Sequence, residues 1–277
     1  MIRFVPVAIV SPTFKWMADF WSYMQKRVYD TDAPLNSLLT IVKQNRLDDP
    51  VYDDVDWDTK GIPYKMVESI YNYVDSTNPN CIVINVFSAV KQVVDEFDDE
   101  DTLCITDMDV IPMGPINVRE VEENEVLCFS GYENWHMFIA DKSKQNYNKI
   151  QHLLTHNEEG YMNGGFVPIL IKVKTFKKIV DDVIKISETI IESNEPQTWK
   201  WWSCMTGFSI ACHNHKINMV GVDNTYIPNF NELQPQHSFT HYSVDPIFNK
   251  HTFPNHSIQD YPKNGFYRFV KDWITSK

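Results

Sequence analysis

Asp107 and Asp109 flank a single methionine, directly after the apolar run Leu103-Cys104-Ile105-Thr106 and just before Val110-Ile111-Pro112. A short apolar run of this kind reads as a buried strand. In extended backbone, side chains two apart share a face, so both carboxylates would look into one cavity while Met108 faces the protein. Carboxylates that close repel each other unless a cation lies between or beside them. Hard oxygen donors suit Mg²⁺ or Mn²⁺, and both ions bridge protein carboxylates to a diphosphate. An acidic turn in an acidic chain is the plain alternative; the apolar runs on both sides favour the ligand reading.

Other residues offer supporting chemistry, each with a structural alternative. Gly164 and Gly165 permit φ > 0 and close backbone approach to a ligand, and Asn163 before them offers a donor and an acceptor to sugar hydroxyls. The same three residues would equally make a tight turn before a strand. A neutral imidazole at His241 can ligate Mn²⁺, with His237, His251 and His256 as competitors, or it can be a satisfied structural group. His213 and His215 fall at the polar end of a helix and are read as structural. Trp199, Trp201 and Trp202 supply flat apolar faces for a sugar acceptor, or pack at a helix start. Lys65 and Lys91 reach a phosphate or are surface lysines. Asp54, Asp56 and Asp58 suggest a calcium loop, but Thr59 and Lys65 stand where that loop needs Gly and Glu.

The elements that must position these residues alternate along the first half of the chain. Val5 to Val10 reads as a strand closed by Ser11-Pro12, followed by a helix over 15–28 and a second strand over 38–42. The spacing of Ile62, Met66, Val67, Ile70, Tyr71 and Val74 predicts a helix over 62–74 that carries Lys65. A strand at 81–84, a helix over 86–97 and the strand at 103–106 complete a βαβαβαβ rhythm. Such alternation implies a largely parallel sheet covered by helices, with ligands beyond the carboxyl ends of the strands. Strands at 125–130 and 166–173 follow, with helices near 143–154 and over 175–191. An aromatic segment at 199–208, a His- and Pro-rich stretch at 229–262 and a last helix over 266–274 close the chain.

The 277 residues suffice for one large α/β domain, and an apolar fraction of 43% with 22% charged residues is that of an ordinary globular protein. A net charge of −12 excludes an extended nucleic-acid surface, which draws on clustered Lys and Arg. Five cysteines without a CxxC pair suit reduced core thiols. No stretch approaches the 18 apolar residues of a membrane span, and no signal-peptide pattern is evident, so a soluble, cytoplasmic protein is expected.

Three segments carry a resemblance. Residues 98–111, Asp-Asp-Glu-Asp-Thr-Leu-Cys-Ile-Thr-Asp-Met-Asp-Val-Ile, look like the acidic turn, apolar strand, DxD and apolar pair of the GT-A glycosyltransferases. Tyr161-Met162-Asn163-Gly164-Gly165-Phe166 is similar to the Asn-Gly-Gly segment that precedes a strand in several of those families. Ser238-Phe239-Thr240-His241-Tyr242 resembles the C-terminal segment whose His completes the metal site in many members. The likeness spans most of the chain, from Val7 to about Ser243.

That resemblance implies a single GT-A-like, Rossmann-like domain with a mixed, mainly parallel sheet. About residues 1–110 would form a nucleotide-binding half and about 111–277 an acceptor-binding half. It implies transfer of a hexose, pentose or deoxyhexose from a nucleoside diphosphate-sugar, UDP or GDP, to a hydroxyl on a glycan or glycoconjugate. Mn²⁺ or Mg²⁺ would be held by Asp107, Asp109 and His241. Ser11, Pro12 and Thr13, after the first strand, would meet the nucleotide with Asp107, Lys65 and Lys91; Asn163, Gly164, Gly165, Trp201 and Trp202 would meet sugar or acceptor. Many inverting members carry a carboxylate base near the start of a late helix, but residues 201–207 hold none. The departure favours retention; Glu133 is the base if the enzyme inverts. Two other classes compete. A haloacid-dehalogenase-type phosphohydrolase also sets DxD after a strand, yet on its first strand rather than its fourth. A binding module that kept the fold without turnover is the other.

Overall fold

Apolar alternation on the first strand decides which residues meet on each side of the central sheet. In β1 (Ile2–Ile9) Val5 and Val7 join one buried cluster, while Phe4 and Ala8 join another. The structure, a computed structural model, describes residues 1–10, 12–29, 37–43, 56–58, 61–69, 81–129, 151–155, 167–193, 203–222, 225–226, 238–241 and 266–276. β1 is followed by α1 (Pro12–Tyr29), β2 (Leu39–Lys43), β3 (Tyr64–Glu68), α2 (Cys81–Val93), β4 (Thr102–Asp107) and β5 (Val110–Pro112). Then come β6 (Glu125–Cys128), β7 (Ile169–Lys172), α3 (Val173–Glu192), α4 (Ser203–Asn214), β8 (Asn218–Gly221), β9 (Thr225–Tyr226), β10 (Phe239–His241) and α5 (Phe266–Thr275).

Seven strands form the main sheet in the order β3-β2-β1-β4-β7-β6-β8. β7 pairs antiparallel with both β4 and β6, and every other pairing is parallel, so β7 alone is reversed. This is the mixed, mostly parallel, Rossmann-like α/β sheet expected. One face is covered by α2, α3 and α4, whose Phe87, Phe176 and Phe208 pack with Val5, Val7, Leu103 and Ile105. The other is covered by α1 and α5 through Trp16, Phe20, Trp21 and Trp273, together with the small sheet β5-β10-β9. Pro6 lies inside β1 although it has no N–H. Leu38 N–H donates to Phe4 O and Val10 N–H to Val42 O. The same two-residue rhythm would send an N–H from position 6 to Leu38 O; Thr40 Oγ1 reaches that carbonyl instead, at 3.5 Å.

Two sequence expectations fail here. Residues 64–68 form the edge strand β3 rather than part of a helix, and 81–84 are the first turn of α2 rather than a strand. Three strands still precede β4, but the third is β3. The helix expected near 143–154 falls mainly outside the described residues; within it, Gln151–Leu153 is a 3-10 turn. Among the described residues no helix is long and apolar enough to cross a membrane.

Candidate functional site

β4 brings the first carboxylate to the edge of the sheet. Its residues 102–106 are buried, flanked by β1 and β7, and it ends at half-buried Asp107. Strand alternation gives Asp107 the same face as Leu103 and Ile105, the face that α4 covers, while Met108 is only 1% exposed in the opposite cluster. The chain then leaves the sheet. Met108 and Asp109 form a two-residue turn into β5, which pairs with β10 rather than with the main sheet. Asp109 is therefore on a turn, not in continuous extended backbone. The expectation that simple alternation aligns the two carboxylates is corrected: Asp109 is 8% exposed and its placement is set by the turn, with Val110 and Ile111 wholly buried just beyond it.

β10 supplies the third expected ligand's backbone. Its antiparallel register sets His241 opposite Val110 and Thr240 opposite Ile111, so the His241 backbone lies beside the residue that follows Asp109. The His241 side chain lies outside the described residues. Among those described, no three His, Cys, Asp or Glu side chains gather as a metal cluster. The chemistry at the β4 end is thus two carboxylates, hard oxygen donors of the kind that suit Mg²⁺ or Mn²⁺.

α4 closes the same edge from the helical face. It runs down to a short turn, with Ile217 N–H donating to Cys212 O, and the chain then enters β8, which runs in the same direction as β4. A helix leading into such a strand begins where the parallel strands end. Its first turn accordingly lies at the Asp107 end of the sheet. Burial pushes the Cys204 thiol well up, and the Asp107 charge adds to that rise, so the thiol stays protonated near the carboxylate. Among the described residues, the buried hydroxyl oxygens of Ser203 and Thr206 have no hydrogen-bond partner. The closeness of this turn to Asp107 is not legible in the sequence, and β10, three residues in a stretch without periodicity, is marked there only by the resemblance of residues 238–242.

The remaining candidates divide. Lys65, expected on a helix, stands on β3 and pairs with Glu96 at 2.5 Å; Lys91, on α2, pairs with Asp181. Both are surface ion pairs, so neither is committed to a phosphate. His215 Nε2 meets Asp182 at 2.7 Å, in keeping with its structural reading. Pro12 and Thr13 open α1 immediately beyond β1, with side chains outside the described residues. Ser11, Glu133, Asn163, Gly164, Gly165, Trp201 and Trp202 lie outside the described residues, as do His237, His251 and His256. The thiols Cys104, Cys128 and Cys212 are buried, and burial pushes that of Cys128 up to about 12.

Ligands of Rossmann-like sheets collect beyond the carboxyl ends of the parallel strands, and Asp107 and Asp109 stand at such an end. The sequence model of the hydroxyproline O-arabinosyltransferase family N-terminal domain matches residues 53–221, more than half of the chain. The chain belongs to this family and is thereby a member of a glycosyltransferase family. The match includes β4, Asp107, Asp109 and α4, whereas β1, α1 and β10 lie outside it. No curated protein matches the chain.

Proposed function

We propose that the chain transfers a sugar, by its family an arabinosyl unit, from a nucleoside diphosphate to a hydroxyl acceptor, by its family hydroxyproline. The observation that carries this reading is the β4–β5 turn: it sets Asp107 and Asp109 two residues apart where β4 leaves the main sheet, and β10 runs the His241 backbone opposite Val110. Asp109 and Asp107 would hold Mn²⁺ or Mg²⁺, with His241 completing the set. When bound, that cation supplies positive charge to the departing diphosphate, whose developing charge is the main electrostatic cost of the step. Asp107, at the strand end, would also accept a hydrogen bond from the donor ribose. Pro12 and Thr13 at the start of α1 stand beyond β1, where a UDP or GDP base would lie. Residues 1–110 would then hold the nucleotide and the rest of the chain the acceptor, with Asn163-Gly164-Gly165 and Trp201-Trp202 on the sugar side.

The reading favours retention of configuration. The first turn of α4 offers Ser203, Cys204 and Thr206 but no carboxylate to act as general base, which leaves Glu133 for that task only if the reaction inverts. A panel of UDP- and GDP-sugars tested by thermal shift with and without Mn²⁺ checks the donor side, because a ligand bound only by the native state raises the melting temperature. A shift that needs both Mn²⁺ and one donor, followed by glycosylated hydroxyproline peptide in a product assay, is the expected result. Release of phosphate without transfer would instead favour a phosphohydrolase.

A further inference from the structure

Gly207 stands one turn below the start of α4, where that helix crosses α3. A methyl group at this position would overlap Ser187 Oγ and come 2.9 Å from Val183 O, both on α3. The obstacle is largely fixed. Val183 O is helix backbone, and Ser187 Oγ is held by donating to that carbonyl at 2.6 Å. One residue on, Phe208 stacks on Phe87 of α2 with ring centroids 4.8 Å apart, so α4 is held by both neighbouring helices. Absence of a side chain at 207 is what lets α4 lie this close to α3.

The depth of α4 matters because of what its first turn faces. Residues three and four apart on a helix share a face, so Ser203 and Cys204 lie directly above Gly207, towards the sheet edge where β4 ends. Asp107 points to this side of the sheet by strand alternation. We propose that Gly207 is a positioning residue: the Gly207–Ser187 contact fixes how far the first turn of α4 reaches over Asp107, and so fixes the carboxylate's geometry for the metal and diphosphate. The inference rests on the metal-dependent reading of the site. It adds a residue whose effect is transmitted through the helix and which touches no ligand itself.

The test is Gly207→Ala, with Mn²⁺-linked binding of UDP and GDP measured by titration calorimetry and turnover measured well below the melting temperature. A shift of the turn by about 1 Å is enough to cost up to about a hundredfold in rate. We expect at least a tenfold loss in kcat or in Mn²⁺-linked affinity per folded molecule. Ser187→Ala in the same chain removes the overlapping oxygen but leaves the close approach to Val183 O, so it should restore part of that loss. Val270→Ala, in α5 on the opposite face of the sheet, serves as the control: it should lower the melting temperature and leave both quantities unchanged. Gly207→Ala with wild-type kcat and affinity per folded molecule would overturn the inference, as would a loss that Ser187→Ala leaves untouched. If Gly207→Ala does not fold, the double variant carries the test, and wild-type behaviour in it with a lowered melting temperature would mark the contact as packing only. Absence of Mn²⁺-linked binding in the wild type itself would instead remove the reading of the site, and the inference with it.

Discussion

At the scale of single residues the candidate site is a matter of charge. Asp109 is almost covered, and a buried carboxylate is tolerated only where donors or cations meet it. Asp109→Asn keeps the shape and removes that charge, so metal-linked nucleotide binding should weaken and turnover should fall by at least about a hundredfold. Asp107→Asn should be nearly as damaging, since it removes the second negative charge at the same edge. Both variants should remain folded, with melting temperatures in metal-free buffer no lower than that of the wild type, because a repelling pair has been relieved. His241→Ala should cost less, because water can take a vacated position on Mn²⁺. Calorimetric titration with nucleoside diphosphate, with and without Mn²⁺, beside a turnover assay checks all three. Wild-type turnover and metal-linked affinity in Asp109→Asn would reduce the turn to an ordinary acidic loop.

At the scale of elements, what was legible in the sequence followed from whether a segment serves one cluster or two. The long helix expected over 175–191 is α3, whose Phe176, Ile179, Val180, Val183, Ile186 and Ile190 all feed one face. β3 deceived for the opposite reason. Ile62 and Met66 pack into the cluster under α1 while Val67 packs into the one under α2, so a short edge strand with its approach imitates a helical stripe. The run Cys81 to Ile84 was ambiguous in principle, since an apolar strand and an apolar helix start look alike over four residues. Of the site, the Asp-Met-Asp turn was readable because apolar runs flank it. The role of α4 was not, because nothing local reveals which strand a helix will cover. The packing that holds α4 in place is testable through Phe208, fully buried and stacked on Phe87. Phe208→Ala should destabilise by about 3–5 kcal/mol in urea unfolding, and the double variant with Phe87→Ala should cost less than the sum of the two single changes.

At the scale of the whole molecule the two edges of the sheet have different tasks. The edge where β4 ends carries the carboxylates, and the edge where it begins is held by ion pairs. There Asp101 receives Arg3 Nε at 2.7 Å and the Met1 amino group at 3.1 Å, Lys172 reaches Glu120 at 3.3 Å, and Lys174 meets Glu100 and Glu123, each at 3.0 Å. Burial alone would raise the Asp101 carboxyl, but the Arg3 guanidinium and the amino group outweigh it and hold the group below the usual carboxylate range. A carboxylate lowered in the folded state contributes stability above its unfolded pKa of about 3.9, and that contribution is lost as pH falls from there through the folded value. Asp101→Asn should therefore melt at least about 2 °C below the wild type at pH 7, and the gap should close in acid. Turnover per folded molecule should be unchanged, since Asp101 is at the far end of β4 from Asp107. Chelation should act at the other edge: EDTA should abolish transfer at pH 7, where the Asp101 ion pairs are intact, and Mn²⁺ or Mg²⁺ should restore it. Melting curves from pH 3 to pH 7 for both chains, run beside transfer assays with and without EDTA, separate the two edges. A variant at Asp101 that lost turnover in proportion to stability, or a chelated enzyme that kept full activity, would show that the edges do not divide the work in this way.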